Sequence, residues 1–406
     1  MRLFLPVLAA ANTMLVGCTE STKSPGSTDS GTGEEDTGSE DDTGFPAAEG
    51  CRAAHRDSEQ ARVVLVNLPF DGAGESWAVM DLDISGALSD TGTRVSAGAA
   101  FLGSGAFTPD GSLGVVAQDD GSIAIFAVDA AGTVAVVEPA WSSGFYASAV
   151  AIDPSGERAW VVDQNTVENG GGIYAVDLDC TDGTPSAADL PADTLGRFFS
   201  AGLPGAAVPV PGRFDRLLVV GGQDDGTDVS LLSVPDGAEL DRIDAFNDSD
   251  DAWLTAADIT PAGDLLLLTD TSAWSTRDNE LAAIAIDGDS LVQAGVDSLF
   301  DGVAVRVGPS GSTALVSSGY DDAIVRVQLD ASASDAARVD GKLLTGGGDP
   351  QLPGGMVSVQ RGSLAGLALV AEVYGVRSVM MGVDGAATDL GVADLPSNAG
   401  ALLVQP

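Results

Sequence analysis

The chain has 406 residues, with 60 acidic side chains against 18 basic ones and a formal charge of −42 at pH 7. A field this negative repels phosphate, which excludes a nucleic-acid binder and a protein held on anionic lipid by basic residues. The apolar fraction of 44% is enough to bury a core, and His55, the one histidine, is the only candidate for a histidine base.

Met1-Arg2 precedes an apolar run from Leu3 to Val16 that is too short to cross a bilayer, the pattern of a secretory signal. The run ends in Leu15-Val16-Gly17-Cys18, which resembles the lipobox of bacterial lipoproteins. The resemblance implies that residues 1–17 are removed, that Cys18 carries acyl chains (palmitate among them), and that the membrane is a partner through this lipid. Thr19 follows the cysteine where an aspartate would retain the protein at the inner membrane, so the resemblance implies an outer-membrane lipoprotein of the cell envelope, facing the periplasm or the surface. Residues 18–50 hold nine acids and one lysine among Ser, Thr, Gly and Pro, with no apolar periodicity. Nothing there offsets the entropy of ordering, so a disordered acidic tether is expected. Residues 51–406 keep 51 acids against 16 bases, so the folded part is itself acidic.

From residue 61 onward one pattern repeats: a short apolar strand, a Pro-x-Gly turn, a second apolar strand. Pro109-Asp-Gly111, Pro154-Ser-Gly156, Pro261-Ala-Gly263 and Pro309-Ser-Gly311 carry it in full; Pro211-Gly212 and Gln360-Arg-Gly362 are degenerate copies. Proline sets φ for the first turn position and glycine takes the conformation that other residues resist. After each second strand come Asp- and Gly-rich residues, a third strand such as Ile123–Val128 or Ile324–Leu329, and a weaker fourth. Four short antiparallel strands per 40–50 residues is about the period of a propeller blade. The region opens on a second strand, around Arg62–Asn67, and closes on Ala399–Pro406, a first strand with Pro406 in the turn-proline slot. The spacings from 109 to 406 run 45, 57, 50, 48, 51 and 46. Residues 51–406 are therefore expected to form an all-β, seven-bladed β-propeller of four-stranded antiparallel blades. The C-terminal strand completes the N-terminal blade, which leaves no open edge and makes a monomer the expected state.

Val116-Ala-Gln-Asp-Asp-Gly-Ser-Ile-Ala-Ile-Phe126 resembles the Asp-Gly-x-Ile-x-x-Trp run of WD repeats, with Phe126 in the tryptophan place. The Pro-x-Gly-x-x-x-Val-Val units are similar to bacterial surface-layer and lactonase-like (YVTN-type) propellers. These resemblances imply the fold more than an activity.

In such a ring the turns between second and third strands open on the usual ligand face. They carry Asp71, Asp119 and Asp120, Asp163, Asp224 and Asp225, Asp270, Asp321 and Asp322, and Glu372. One reading is an acidic rim that concentrates cations, calcium among them; the other is turn chemistry, since Asp and Gly populate tight hairpins. Blade-to-blade loops on that face carry Trp141, Phe145, Tyr146, Phe198, Phe199, Trp253 and Phe300, either as a surface for a protein, peptide or glycan or as wedges between blades. Trp274 sits in the longest second-to-third-strand loop. The binding-face candidates are accordingly Asp120, Asp225, Asp270, Asp321, Glu372, Trp141, Trp253 and Trp274. No Ser-centred elbow, Cys-His pair or phosphate loop appears, so no catalytic residue is assigned. The lactonase-like resemblance implies Glu, Asn and Asp around a metal; Asn165, Asp270 and Glu372 are of those types, but their flanks do not single them out. An exported chain could pair Cys51 with Cys180. Two readings follow: a lipid-anchored binding or scaffolding module without catalysis or a predicted cofactor, and a metal-dependent lactonase-like hydrolase working in the central channel.

Overall fold

The computed structural model describes residues 62–71, 76–100, 105–119, 121–129, 131–137, 147–164, 171–178, 197–199, 204–221, 227–246, 254–270, 280–343 and 348–406. Cys18 and the rest of the expected tether, Cys51 and Cys180 lie outside them.

Seven four-stranded antiparallel sheets form the fold. From axis to rim, blade 1 stacks Leu402–Val404, Arg62–Leu68, Ser76–Leu82 and Leu88–Ser96. Blade 2 has Gly105–Phe107, Leu113–Ala117, Ile123–Val128 and Val134–Val136; blade 3 has Ala147–Ile152, Arg158–Asp163, Gly172–Asp177 and Arg197–Phe199. Blade 4 has Ala206–Pro209, Arg216–Val220, Val229–Ser233 and Glu239–Ile243; blade 5 has Leu254–Ile259, Leu265–Asp270, Glu280–Asp287 and Ser290–Ser298. Blade 6 has Gly302–Val307, Thr313–Ser318, Ala323–Leu329 and Ala337–Lys342; blade 7 has Met356–Ser358, Leu367–Glu372, Gly375–Met381 and Ala387–Asp394. The first strands touch their neighbours in sequence and the last touches the first, which closes the ring. The only helix among the described residues is a single 3-10 turn, Gly362–Leu364.

Burial explains the apolar runs. Second strands such as Arg62–Leu68, Leu113–Ala117 and Leu367–Glu372 are buried along their whole length, because both faces of a blade meet another blade. Outer strands alternate with solvent, as in Ala387–Asp394, and so read weakly in the sequence. Apolar clusters lie between adjacent blades; Trp77 of blade 1 meets Phe126 of blade 2 at 5.0 Å between ring centroids. Phe126 thus stands where the WD-like run places tryptophan and acts as an inter-blade wedge.

The Pro-x-Gly repeat has a packing reason. A Cβ on Gly366 would come within 2.9 Å of the Pro309 ring of the preceding blade and 2.4 Å of the Met381 carbonyl, and Gly366 itself has φ 92°. A Cβ on Gly263 would come within 2.7 Å of the Pro211 carbonyl, and one on Gly111 of blade 2 or on Gly311 would lie in van der Waals contact with Pro406 or Pro261, at 3.4 and 3.6 Å. The turn of one blade is therefore seated on the proline of the blade before, and Pro406 fills that slot for blade 1.

The closing strand is fastened beyond its three paired residues, Leu402 to Val404. Gln405 is 2% exposed; its Oε1 accepts the Val63 N–H at 2.9 Å and its Nε2 donates to the Gly111 carbonyl of blade 2 at 2.6 Å. Arg62 Nε donates to the Pro406 carbonyl at 3.2 Å, and Arg62 Nη2 to the Arg361 carbonyl of blade 7 at 3.0 Å. The C-terminal segment is thereby tied to blades 1, 2 and 7 together.

Candidate functional site on the loop face

Antiparallel order puts the first-to-second and third-to-fourth hairpins on one face, and the second-to-third turns and blade-to-blade loops on the other. Aspartates on the hairpin face are turn formers. Asp83, Asp129, Asp153, Asp236, Asp330 and Asp384 each accept the backbone N–H two residues on. The Ser85 hydroxyl and turn N–H groups hold Asp83 below the usual carboxylate range, and the Thr133 N–H with its neighbours does the same for Asp129. On that face the turn-chemistry reading accounts for these acids.

The loop face is built differently. Asp163, Asp270 and Glu372 are nearly fully buried, whereas Asp119, Asp321 and Asp322 are exposed. Glu372 is 4% exposed and pairs with Arg377 Nε; Arg377, only 1% exposed, also donates from Nη1 to Asp389 Oδ2 at 2.9 Å. Burial works against the Arg377 charge, but Glu372 and Asp389 outweigh it and hold its pKa above the usual value. Glu372 Oε2 also accepts the Gln351 N–H at 3.2 Å. Glu372 is thus a buried clamp on the loop from blade 6 to blade 7. Asp228 clamps another: its Oδ2 accepts the Ala245 N–H at 2.6 Å and the Phe246 N–H at 3.1 Å. Burial nonetheless pushes the Asp228 carboxyl up to about 6.

Blades 5 to 7 and blade 1 then present an arc of large side chains. Phe300, Tyr320, Leu352, Tyr374 and Phe70 are 51–59% exposed, although each sits in a short turn or loop of this face. Backbone bonds string them together. Ser318 Oγ donates to the Phe300 carbonyl at 2.6 Å, and the Tyr320 N–H to Asp301 Oδ2 at 2.7 Å. The Leu352 N–H donates to Asp322 Oδ1 at 2.8 Å, Val373 N–H to the Gln351 carbonyl at 3.1 Å, and Leu395 N–H to the Tyr374 carbonyl at 2.7 Å. Gly400 N–H reaches the Asn67 carbonyl at 2.8 Å and ties in the strand that ends beside Phe70.

Among the described residues, the four non-glycine residues with positive φ all lie in this arc: Asp301 at 51°, Asp322 at 45°, Leu352 at 44° and Tyr374 at 66°. For bulky residues the left-handed region costs roughly 1–2 kcal/mol, and such outliers concentrate at functional sites. Tyr374 occupies the second place of a two-residue hairpin between Glu372 and Gly375, where glycine or asparagine would be unstrained. Beside these residues stand the exposed carboxylates Asp321, Asp322, Asp349 and Asp394 and the half-exposed Asp71. The neighbouring bases are already bridged, Lys342 to Asp321 at 2.9 Å and Arg94 to Asp90 at 2.7 Å.

Of the sequence candidates, Asp321 and Phe300 fall in this arc, Asp270 and Glu372 are buried, and Phe198 and Phe199 pack half-buried against the cluster around Trp160. Asp120, Asp225, Trp141, Trp253 and Trp274 lie outside the described residues. Sequence reasoning missed Tyr320, Leu352 and Tyr374. Tyrosine within Gly319-Tyr-Asp-Asp322 and Val373-Tyr-Gly375, where turn residues were due, was the available signal.

At the axis on the hairpin face, a cavity of about 250 Å³ is lined by Pro211, Pro261 and Pro309 with Asp258, Ser358 and Gln360. Asp258 Oδ2 accepts the Val307 N–H of the next blade at 2.7 Å. Burial raises its pKa against the pull of Arg306. Among the described residues no group of three or more His, Cys, Asp or Glu side chains converges as a metal site.

Fold and loop face together define a seven-bladed β-propeller with one decorated face. No protein-family model matches the chain, and no curated protein matches it. Solved structures share the architecture at low identity. A putative 6-phosphogluconolactonase from Bacteroides fragilis is similar with a TM-score of 0.63 and 12% identity, covering 86% of this chain and 99% of that one. The Pseudomonas aeruginosa periplasmic gluconolactonase PpgL gives 0.62 and 15%, covering 86% and 99%. The β-propeller domain of Myceliophteria thermophila Cps50 (Swd1) gives 0.53 and 13%, covering 77% and 92%. At such identities the likeness is one of fold.

Proposed function

We propose that this protein is a lipid-anchored extracytoplasmic binding module, in which the propeller is tethered to the outer membrane through Cys18 and holds a partner on its loop face. The observation that carries the binding reading is the arc of exposed Phe300, Tyr320, Leu352, Tyr374 and Phe70, of which Leu352 and Tyr374 are retained where the backbone calls for glycine. The lipobox-like Leu15-Val16-Gly17-Cys18 and the acidic tether support the anchoring. A photo-crosslinking amino acid at Tyr320 should capture a partner in cells, whereas one at Val383, in a hairpin of the other face, should not. Equal capture from both positions, or none from Tyr320, defeats the binding reading. Palmitate labelling that survives Cys18→Ser defeats the anchoring. The hydrolase reading is favoured by the similarity in fold to a putative 6-phosphogluconolactonase and a gluconolactonase and by Asp258 and Arg306 on adjacent inner strands. Metal-dependent turnover across a panel of lactones, lost in Asp258→Asn, would install it instead.

A further inference from the structure

Resting on that binding reading, we infer that the arc over blades 5 to 7 and blade 1 receives a polypeptide segment that alternates basic and apolar residues. The apolar half of the recognition is Phe300, Tyr320, Leu352, Tyr374 and Phe70, more than half exposed and spread along the rim rather than gathered in a pocket. Such a row fits an extended ligand that offers several apolar side chains in succession. The charged half is Asp71, Asp321, Asp322, Asp349 and Asp394, interleaved with those side chains. Five carboxylates stand against two bases, Lys342 bridged to Asp321 and Arg94 bridged to Asp90, so the arc keeps a net negative charge even though Asp321 is paired and Asp322 accepts the Leu352 N–H. Aromatic faces beside carboxylates suit guanidinium and ammonium groups, which gain from both the ring and the charge.

Charge decides among occupants. The folded region is acidic throughout, so an anionic lipid surface or a nucleic acid is repelled before contact. A neutral glycan can stack on Tyr320 and Tyr374 but leaves the carboxylates uncompensated. A basic, apolar polypeptide satisfies both halves, and the field of the whole ring steers it in. The backbone is held ready: Asp301 clamps the turn that carries Tyr320, Asp322 and Glu372 clamp the loop that carries Leu352, and the Tyr374 carbonyl accepts the Leu395 N–H, so little ordering remains to be done on binding.

The test is calorimetric titration of the full chain in detergent with a short synthetic peptide of alternating arginine and leucine. Its citrulline–leucine analogue and a neutral chito-oligosaccharide serve as comparison ligands. The arginine peptide should bind, and the citrulline analogue should bind at least roughly tenfold more weakly. The double variant Tyr320→Ser/Tyr374→Asn should lose roughly tenfold in affinity for the arginine peptide without any fall in melting temperature, while Val383→Ser on the other face binds as the parent does. Equal binding of the arginine and citrulline peptides, an unaltered affinity of the double variant, or preference for the oligosaccharide each overturns the assignment. If Tyr320 captures a partner in cells and the arginine peptide does not bind, the partner class is wrong and the binding reading stands. If Tyr320 captures nothing, the binding reading itself falls.

Discussion

The two faces of the ring solve the same problem of turning a chain in opposite ways. On the hairpin face every described residue with positive φ is a glycine, including Gly111, Gly156, Gly263 and Gly311 of the Pro-x-Gly repeat, and the aspartates beside them close turns. On the loop face, alongside glycines such as Gly121 and Gly348, the same backbone conformation is imposed on Asp301, Asp322, Leu352 and Tyr374. The carboxylates of the turns differ as well, although Asp258 on an inner strand of the hairpin face is also raised by burial. Turn hydroxyls and N–H groups lower Asp83, Asp129, Asp236 and Asp330, whereas burial raises Asp228 and Asp301. One face is optimised for folding. The other keeps large side chains in solvent and two bulky residues in the left-handed region, and the proposed binding reading rests on that contrast.

The largest effect should come from the ring that both faces share. Deleting residues 399–406 removes the inner strand of blade 1 with its Gln405 and Arg62 fastenings, and calorimetry should then show no cooperative unfolding. A truncated chain that melts like the parent would disprove the split blade. The milder Leu403→Ala should cost about 2–5 kcal/mol in denaturant unfolding.

Next is the loop-face clamp. Arg377→Met leaves Glu372 and Asp389 buried without their partner and should cost about 3–5 kcal/mol, measured in the same way. A loss below about 1 kcal/mol would mean that the two carboxylates reach solvent, and the clamp would be no more than a surface pair.

The pH dependence separates the faces further. Burial makes Asp228 hold its proton up to about 6 in the native state, against 3.8 for an ordinary aspartate. Between those values the native state binds the extra proton, so this group stabilises most below pH about 4 and its contribution falls as pH rises through about 6. The loss amounts to roughly 3 kcal/mol over that window. Asp228→Asn should flatten that part of the stability curve, and a parallel curve for the variant would assign the slope elsewhere.

The smallest effect has the opposite sign. Leu352→Asn and Tyr374→Asn place a residue that tolerates the left-handed region where a bulky one is strained, and each should stabilise by about 0.5–1 kcal/mol in thermal unfolding. Destabilisation by either variant would show that these side chains contribute to packing, and would remove the main contrast between the faces.

Much of the fold could be read from residues in order. Pro109-Asp-Gly111 and its copies repeat because each blade meets its neighbours in the same way, and a repeated contact imposes a repeated sequence. Pro406 could be recognised because it fills a slot whose other occupants are visible. The site was less legible. Asp321 and Phe300 were reached by station along the repeat, but the same logic nominated Glu372, which is buried against Arg377 five residues on. Station along a blade says which face a residue is on. It does not say whether a neighbouring side chain covers it.

The sequence by itself therefore determined the blade, its count, the closure of the ring and the acidity of the whole, since all of these follow from local periodicity and composition. Only the tertiary structure decided which carboxylates are buried clamps and which are exposed on the loop face, and which large side chains stand in solvent. Those properties depend on the loop of one blade lying against the turn of the next. Partners distant in the chain, such as Asp322 and Leu352, meet there through one hydrogen bond, from the Leu352 N–H to the Asp322 carboxylate, that no spacing rule encodes.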